Sequence, residues 1–182
     1  MKVSIKKLQA QMINWHLNRF PDVDNLPNTK STSAINSLCS QILQPIQHEF
    51  GNVTITYGFT SHPLLLQIKK HAPQHIAPNI DQHASYEVNT KGNIVCNRGG
   101  AACDIYVDGF EDNMYHVAKW INEKLPFDRM YLYGKNRPIH ISFGPAQNRF
   151  IQMMKTNKVG KRFPGKKGTN VDLISLMSDN NE

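Results

Sequence analysis

Residues 101–143, AACDIYVDGFEDNMYHVAKWINEKLPFDRMYLYGKNRPIHISF, decide the fold class. Two short apolar segments, AACDIYV (101–107) and RPIHISF (137–143), carry the β-branched and aromatic residues of half-buried strands. Between them HVAKWINEKL (116–125) spaces its apolar side chains for a helix that stops at Pro126. Upstream, NVTITYGF (52–59) alternates as a strand does, and a helix follows Pro63 through LLLQIKKH (64–71). Further back, SAINSLCSQILQPIQHEFG (33–51) places Ile35, Leu38, Ile42, Leu43, Ile46 and Phe50 on one helical face and ends at Gly51. Pro45 falls inside that face and predicts a kink or a restart, because proline has no amide to donate. At the start, Ile5, Leu8, Met12, Trp15 and Leu17 recur at loosely helical spacing up to Phe20-Pro21. Helices come first and a small sheet with interspersed helices follows. This order predicts an α+β domain instead of a regular βαβ repeat.

A chain of 182 residues is long enough for one proper core. No apolar run approaches the roughly 20 residues of a membrane span, and MKVSIKKLQAQM lacks the apolar centre of a signal peptide, so a soluble cytoplasmic protein without a membrane partner is expected. Cys39, Cys96 and Cys103 are an odd, sparse set with no C-x-x-C pair, which argues against a disulfide framework or a thiolate zinc knuckle. The formal charge is +7, and six of the 21 Lys and Arg residues crowd into KTNKVGKRFPGKKG: Lys155, Lys158, Lys161, Arg162, Lys166 and Lys167. The expected organisation is a domain over 1–150 and a basic tail over 151–182, with the boundary between Pro145 and Lys155. The tail is either a solvated segment or an arm that touches a polyanion.

The chemistry centres on three residues. His16, His48, His62, His71, His75 and His116 sit in polar loops or on helices without a partner at metal-ligand spacing. His83 and His140 lie beside a turn and on a strand, and Asp104 follows the run Gly99-Gly100-Ala101-Ala102-Cys103, whose lack of bulk lets a strand pack closely against its neighbours. Two imidazoles and a carboxylate compose a catalytic-type zinc shell that leaves a fourth position for water. Taken alone, the same residues are also compatible with ordinary core and loop positions.

Asp81-Gln82-His83, then Gly100-Ala101-Ala102-Cys103-Asp104, then His140-Ile141-Ser142 stand in the order S-x-H, G-x-A-x-D, H-x-S. In this the chain resembles the zinc D-alanyl-D-alanine carboxypeptidases and related peptidoglycan peptidases, whose fold the hedgehog signalling domain shares. LCSQILQPIQHEFGNVTITYGFTSHPLL resembles the helix and strand leading to that family's T-S-G-Y-R-S turn, and LPFDRMYLY with RPIHISF resembles the segment bearing its last ligand. The likeness runs from Ile5 to about Pro145. It implies a small antiparallel sheet flanked by helices, zinc held by His83, Asp104 and His140, and hydrolysis of an amide bond in a peptide or peptidoglycan fragment. A cell-wall substrate then implies cytoplasmic muropeptide turnover or a phage-type lysin.

The departures bear on mechanism. ASYEVNTKGNIVCNRGGAAC separates His83 from Asp104, so an inserted loop or hairpin is expected at the mouth of the site. Thr60 stands where the family's turn has its substrate-binding arginine. Arg98 and Arg137 are the candidates to bind an anionic substrate group instead. Near Tyr133, where the family has its general-base glutamate, no carboxylate stands between Asp128 and His140. A zinc hydrolase needs a proton acceptor. Asp128, on the segment leading to the His140 strand, is the expected base, with Glu87 as the alternative. Two other readings are a zinc-containing recognition protein without peptidase activity and a hydrolase of nucleotides or nucleic acid anchored by the tail.

Overall fold

The computed structural model describes residues 4–72, 82–160 and 162–177. It is α+β, with a six-stranded mixed sheet flanked by helices. Helix α1 spans Ile5–Asn14 and α2 Thr29–Leu38; α3 (Gln44–Phe50) continues α2 after a π turn at Cys39–Leu43. That turn explains how Pro45 is accommodated. Its ring would collide with the carbonyl of Gln41 in a regular helix, and the widened turn, closed by Gln44 N–H donating to Cys39 O, relieves the crowding.

Strand β1 (Val53–Tyr57) leads to α4 (His62–His71), and a 3₁₀ turn at Gln82–Ala84 precedes β2 (Ala101–Val107). Then come α5 (Met114–Lys124), β3 (Arg129–Leu132), β4 (Ile139–Phe143), β5 (Phe150–Thr156), β6 (Arg162–Thr169) and α6 (Leu173–Met177). The sheet order is β1-β2-β4-β3-β5-β6. All neighbours are antiparallel except β3 and β5, so the sheet is mixed where a purely antiparallel one was expected.

The segment expected as a basic tail is instead structural. Ile151 and Met153 of β5 and Leu173 and Leu176 of α6 are buried in the main core, and β5 pairs with β3 along its first four residues. The apolar alternation within FIQMMKT overrides its lysine-rich surroundings.

Alternate strand residues, Cys103, Ile105, Val107, Met130, Leu132, Ile139, Ile141, Ile151 and Met153, join Leu8, Met12, Ile35, Leu38, Ile42, Ile46, Val117 and Ile121 of the helices in one core. By the two-residue strand period, Asp104, His140, Tyr131 and Gln152 point the other way. No helix among the described residues is long and apolar enough to cross a membrane.

Candidate metal centre

Register builds the site. Tyr57 pairs with Asp104, Asp104 with His140, His140 with Tyr131, Tyr131 with Gln152 and Gln152 with Lys167, so one cross-strand row traverses all six strands. Tyr57 joins it because the β1 register shifts between Ile55 and Tyr57, an irregularity that turns its ring to the face opposite the core. The close packing expected from the small-residue run is seen at Gly100. Its φ is +81°, and a Cβ there would stand 2.3 Å from the Phe143 carbonyl oxygen and 2.5 Å from the Cα of Gly144.

His140 Nδ1 lies 2.9 Å from Asp104 Oδ1, and His83 Nε2 lies 3.3 Å from the same oxygen. One ligand atom from each of His83, Asp104 and His140 falls within 4.8 Å of the others, so the group could hold a metal ion. Both histidines are buried, whereas Asp104 is partly open to solvent. The other His83 nitrogen, Nδ1, is 2.9 Å from the Gly58 carbonyl oxygen, and a carbonyl only accepts, so Nδ1 carries the proton. The His83 carbonyl also accepts from Thr60 N–H at 3.0 Å. The Gly58–Thr60 turn therefore grips His83 at side chain and backbone alike. The turn is itself anchored, since Trp15 Nε1 and Asn25 Nδ2 donate to Phe59 O at 2.7 and 2.9 Å. Aromatic rings wall the imidazoles: Tyr57 packs edge-on against His83, and Tyr131 stacks on His140 with centroids 4.7 Å apart. His140 lacks the support that His83 enjoys, because its Nε2 is buried without a hydrogen-bond partner among the described residues.

Burial pushes the Asp104 carboxyl up, but hydrogen bonding to His140 and His83, and their positive charge when they are protonated, outweigh it and hold the group well below the usual carboxylate range. Asp104 is thus an anion ready to ligate.

Asp128, the expected base, lies in a hydrogen-bonded network. It is 1% exposed and its oxygens are committed: Oδ1 accepts from Asn148 N and Nδ2 at 3.0 and 2.9 Å, and Oδ2 accepts from Gln82 Nε2 at 2.7 Å. It stands outside the convergent ligand group and ties down the turn that bears His83. Gln82 donates also to Gly99 O at 2.9 Å, which fixes its amide orientation. Glu87 Oε1 accepts from Asn28 N and Ser31 Oγ at the start of α2. Arg98 and Arg137 are exposed and lie at opposite ends of the β2–β4 pair, Arg98 before Ala101 and Arg137 before Ile139, so the structure does not bring them together. Thr60 is buried in its turn. The stretch between His83 and Asp104 forms a small hairpin bridged at Val88 and Ile94, set against the α2 N-terminus through Asn28, Tyr86 and Glu87. Asp81 and His75 lie outside the described residues.

Sequence reasoning missed Gly58 and Gln82 as supports. Gly58 had a legible signal, a glycine between a strand and a helix, but its partner comes from 25 residues away. Two surface grooves run along α2, Tyr86 and the Phe143–Gln147 segment, and neither is lined by His83, Asp104 or His140. No protein-family model, curated protein or solved structure matches the chain.

Proposed function

We propose that the chain is a zinc-dependent hydrolase of peptidase type, acting on an amide bond in a peptide or peptidoglycan-derived fragment, with the metal on His83, Asp104 and His140. One observation carries the metal. With its proton on Nδ1, a neutral His83 turns the lone pair of Nε2 toward Asp104 Oδ1 at 3.3 Å, acceptor against acceptor. A cation relieves that conflict, either a second proton or a metal ion. Two imidazoles and one carboxylate suit zinc better than magnesium or calcium, which prefer all-oxygen shells. When bound, zinc supplies a Lewis acid that polarises a carbonyl and lowers the pKa of water to about 7.

The chain's own residues supply the remainder. Asp104 brings the negative charge, the Gly58 carbonyl sets the His83 tautomer, and Tyr57 and Tyr131 keep bulk water off the imidazoles. The peptidase assignment is supported by the order of the three ligand motifs along the chain.

Among the described residues no second carboxylate joins the group, and both expected bases are engaged in structural hydrogen bonds. That observation favours a second reading, a zinc-containing recognition protein without turnover. Metal analysis and cleavage of D-Ala-containing peptides or muropeptides, beside a His83→Ala control, separate the two. One zinc per chain with cleavage lost in His83→Ala upholds the hydrolase. A zinc-loaded chain inert on every such peptide leaves the recognition reading, and a chain that takes up no zinc on titration refutes both.

A further inference from the structure

We propose that the open face of the sheet on its β3, β5 and β6 side is a platform for single-stranded nucleic acid, whatever the metal centre does. The first observation is the segregation of charge. From Arg129 to Val171 there are ten Lys and Arg residues and no Asp or Glu, whereas the remainder of the chain has eleven against fourteen. The net positive charge of the protein therefore belongs to the segment that folds into β3 to β6. A charge imbalance of this kind, carried by the segment that forms four of the six strands, matches a polyanion.

The second observation is which side chains share the face. Strand alternation and register place Arg129, Tyr131, Phe150 and Lys167 on the side of the sheet that carries His140, away from the helical core. The Arg129 guanidinium lies over the Phe150 ring at 4.9 Å, and that of Arg162 over Tyr133 at 4.7 Å. Tyr57 and Tyr106 extend the aromatic row on the other flank of the metal ligands. Among the described residues Arg129, Arg162 and Lys167 form no ion pair, and Arg129 Nε is buried without a hydrogen-bond partner. Half-buried rings alternating with cations along one sheet face suit a strand whose bases stack while its phosphates are neutralised. A duplex hides its base faces and could use only the cations, and a sulfated polysaccharide has no base to stack.

The test is fluorescence anisotropy with a fluorescein-labelled 20-nucleotide oligo(dT), and with oligo(rU), against the full chain, with a duplex of equal length and heparin as competitors. Three cations in contact give a salt slope of about −2, so affinity should fall about twentyfold between 50 and 200 mM salt. Arg162→Gln combined with Lys167→Gln, both at exposed positions, should weaken binding about tenfold or more, while Lys69→Gln with Lys70→Gln on α4 should leave it unchanged. Tyr133→Ala should weaken single-strand binding about tenfold and leave duplex binding alone. Thermal melts establish that each variant is folded. The proposal is overturned by absence of oligonucleotide binding at 50 mM salt, by equal losses in the α4 control, or by duplex and heparin competing as well as single strands with Tyr133→Ala inert.

Discussion

Asp128→Asn distinguishes a positioning carboxylate from a catalytic one. The native carboxylate accepts three N–H groups with two oxygens, and asparagine offers one oxygen and one NH₂. With its oxygen toward Asn148 it keeps two bonds but sets its NH₂ against Gln82 Nε2; the opposite rotamer keeps one bond and opposes two donors. The first is cheaper. It forfeits one charge-assisted hydrogen bond, about 1.5–3 kcal/mol, and leaves a buried donor facing a donor. A loss of about 2–4 kcal/mol corresponds to a fall in Tm of roughly 4–16 °C for a chain of this size. Because Gln82 adjoins His83, the substitution should also loosen the ligand turn and weaken zinc binding by about 10–100-fold, as removal of a metal ligand's outer supports does. Calorimetry and zinc titration against a chromophoric chelator read the two effects. If Asp128→Asn retains both the wild-type Tm and the wild-type zinc affinity while losing hydrolysis, Asp128 is a catalytic base and the positioning argument fails.

The other outcomes are direct. Wild-type protein should carry about one zinc per chain by elemental analysis, and His140→Ala should remove it; zinc at a hundredfold excess over Kd should add about 2.7 kcal/mol of stability, seen as a higher Tm. Gly58→Ala should weaken zinc binding and lower the Tm, since a Cβ would lie 2.4 Å from the Met12 carbonyl oxygen and push away the carbonyl that orients His83. Truncation after Pro145 removes buried Ile151, Met153, Leu173 and Leu176; at about 1.5–3 kcal/mol each the loss rivals the whole stability of a domain, and circular dichroism should show an unfolded chain. Burial pushes the Cys39 thiol up to about 12 and raises that of Cys103 as well, so neither should react with iodoacetamide at pH 8 until the protein is denatured, as mass spectrometry would show.

Elements whose stabilisation is local were legible. AACDIYV is β2 residue for residue, RPIHISF contains β4, and the Ile35 to Phe50 face is the α2–α3 unit with its break where Pro45 requires one. The strands that were missed depend on partners distant in sequence. Strand β3 is four residues long and lies between β4 and β5. Strand β6, RFPGKKGT, holds a proline, two glycines and lysines, which read as tail; the same residues protect a sheet edge against pairing with another chain. Its irregularity opposite Gln152 is filled by that side chain, whose Nε2 donates to Gly165 O and Lys166 O. At the site, the convergence of His83, Asp104 and His140 was legible from motif order, whereas the hydrogen bonds of Asp128 were not. A carboxylate before a strand looks the same in sequence whether it takes a proton from water or binds three amides.

The supports of the ligand group also show why the C-terminal strands belong to the functional unit. Asn148, just ahead of β5, donates through backbone and side chain to Asp128; Asp128 accepts from Gln82; and Gln82 precedes His83. Asp128 N–H donates to Ser142 O and its carbonyl accepts from Phe150 N–H, so the same residue stitches β4 to β5. The His83 turn is therefore held from two sides, by the Gly58–Thr60 turn through the imidazole and by the β3–β5 junction through Gln82. His140 and Asp104 need no such aid, because antiparallel pairing of β2 with β4 sets them opposite each other. Of the three candidate ligands, only His83 sits on a short turn and not on a strand, and it is the one on which both sets of hydrogen bonds converge. Pre-organisation of the centre thus rests on the sheet for two ligands and on a hydrogen-bonded clamp for the third.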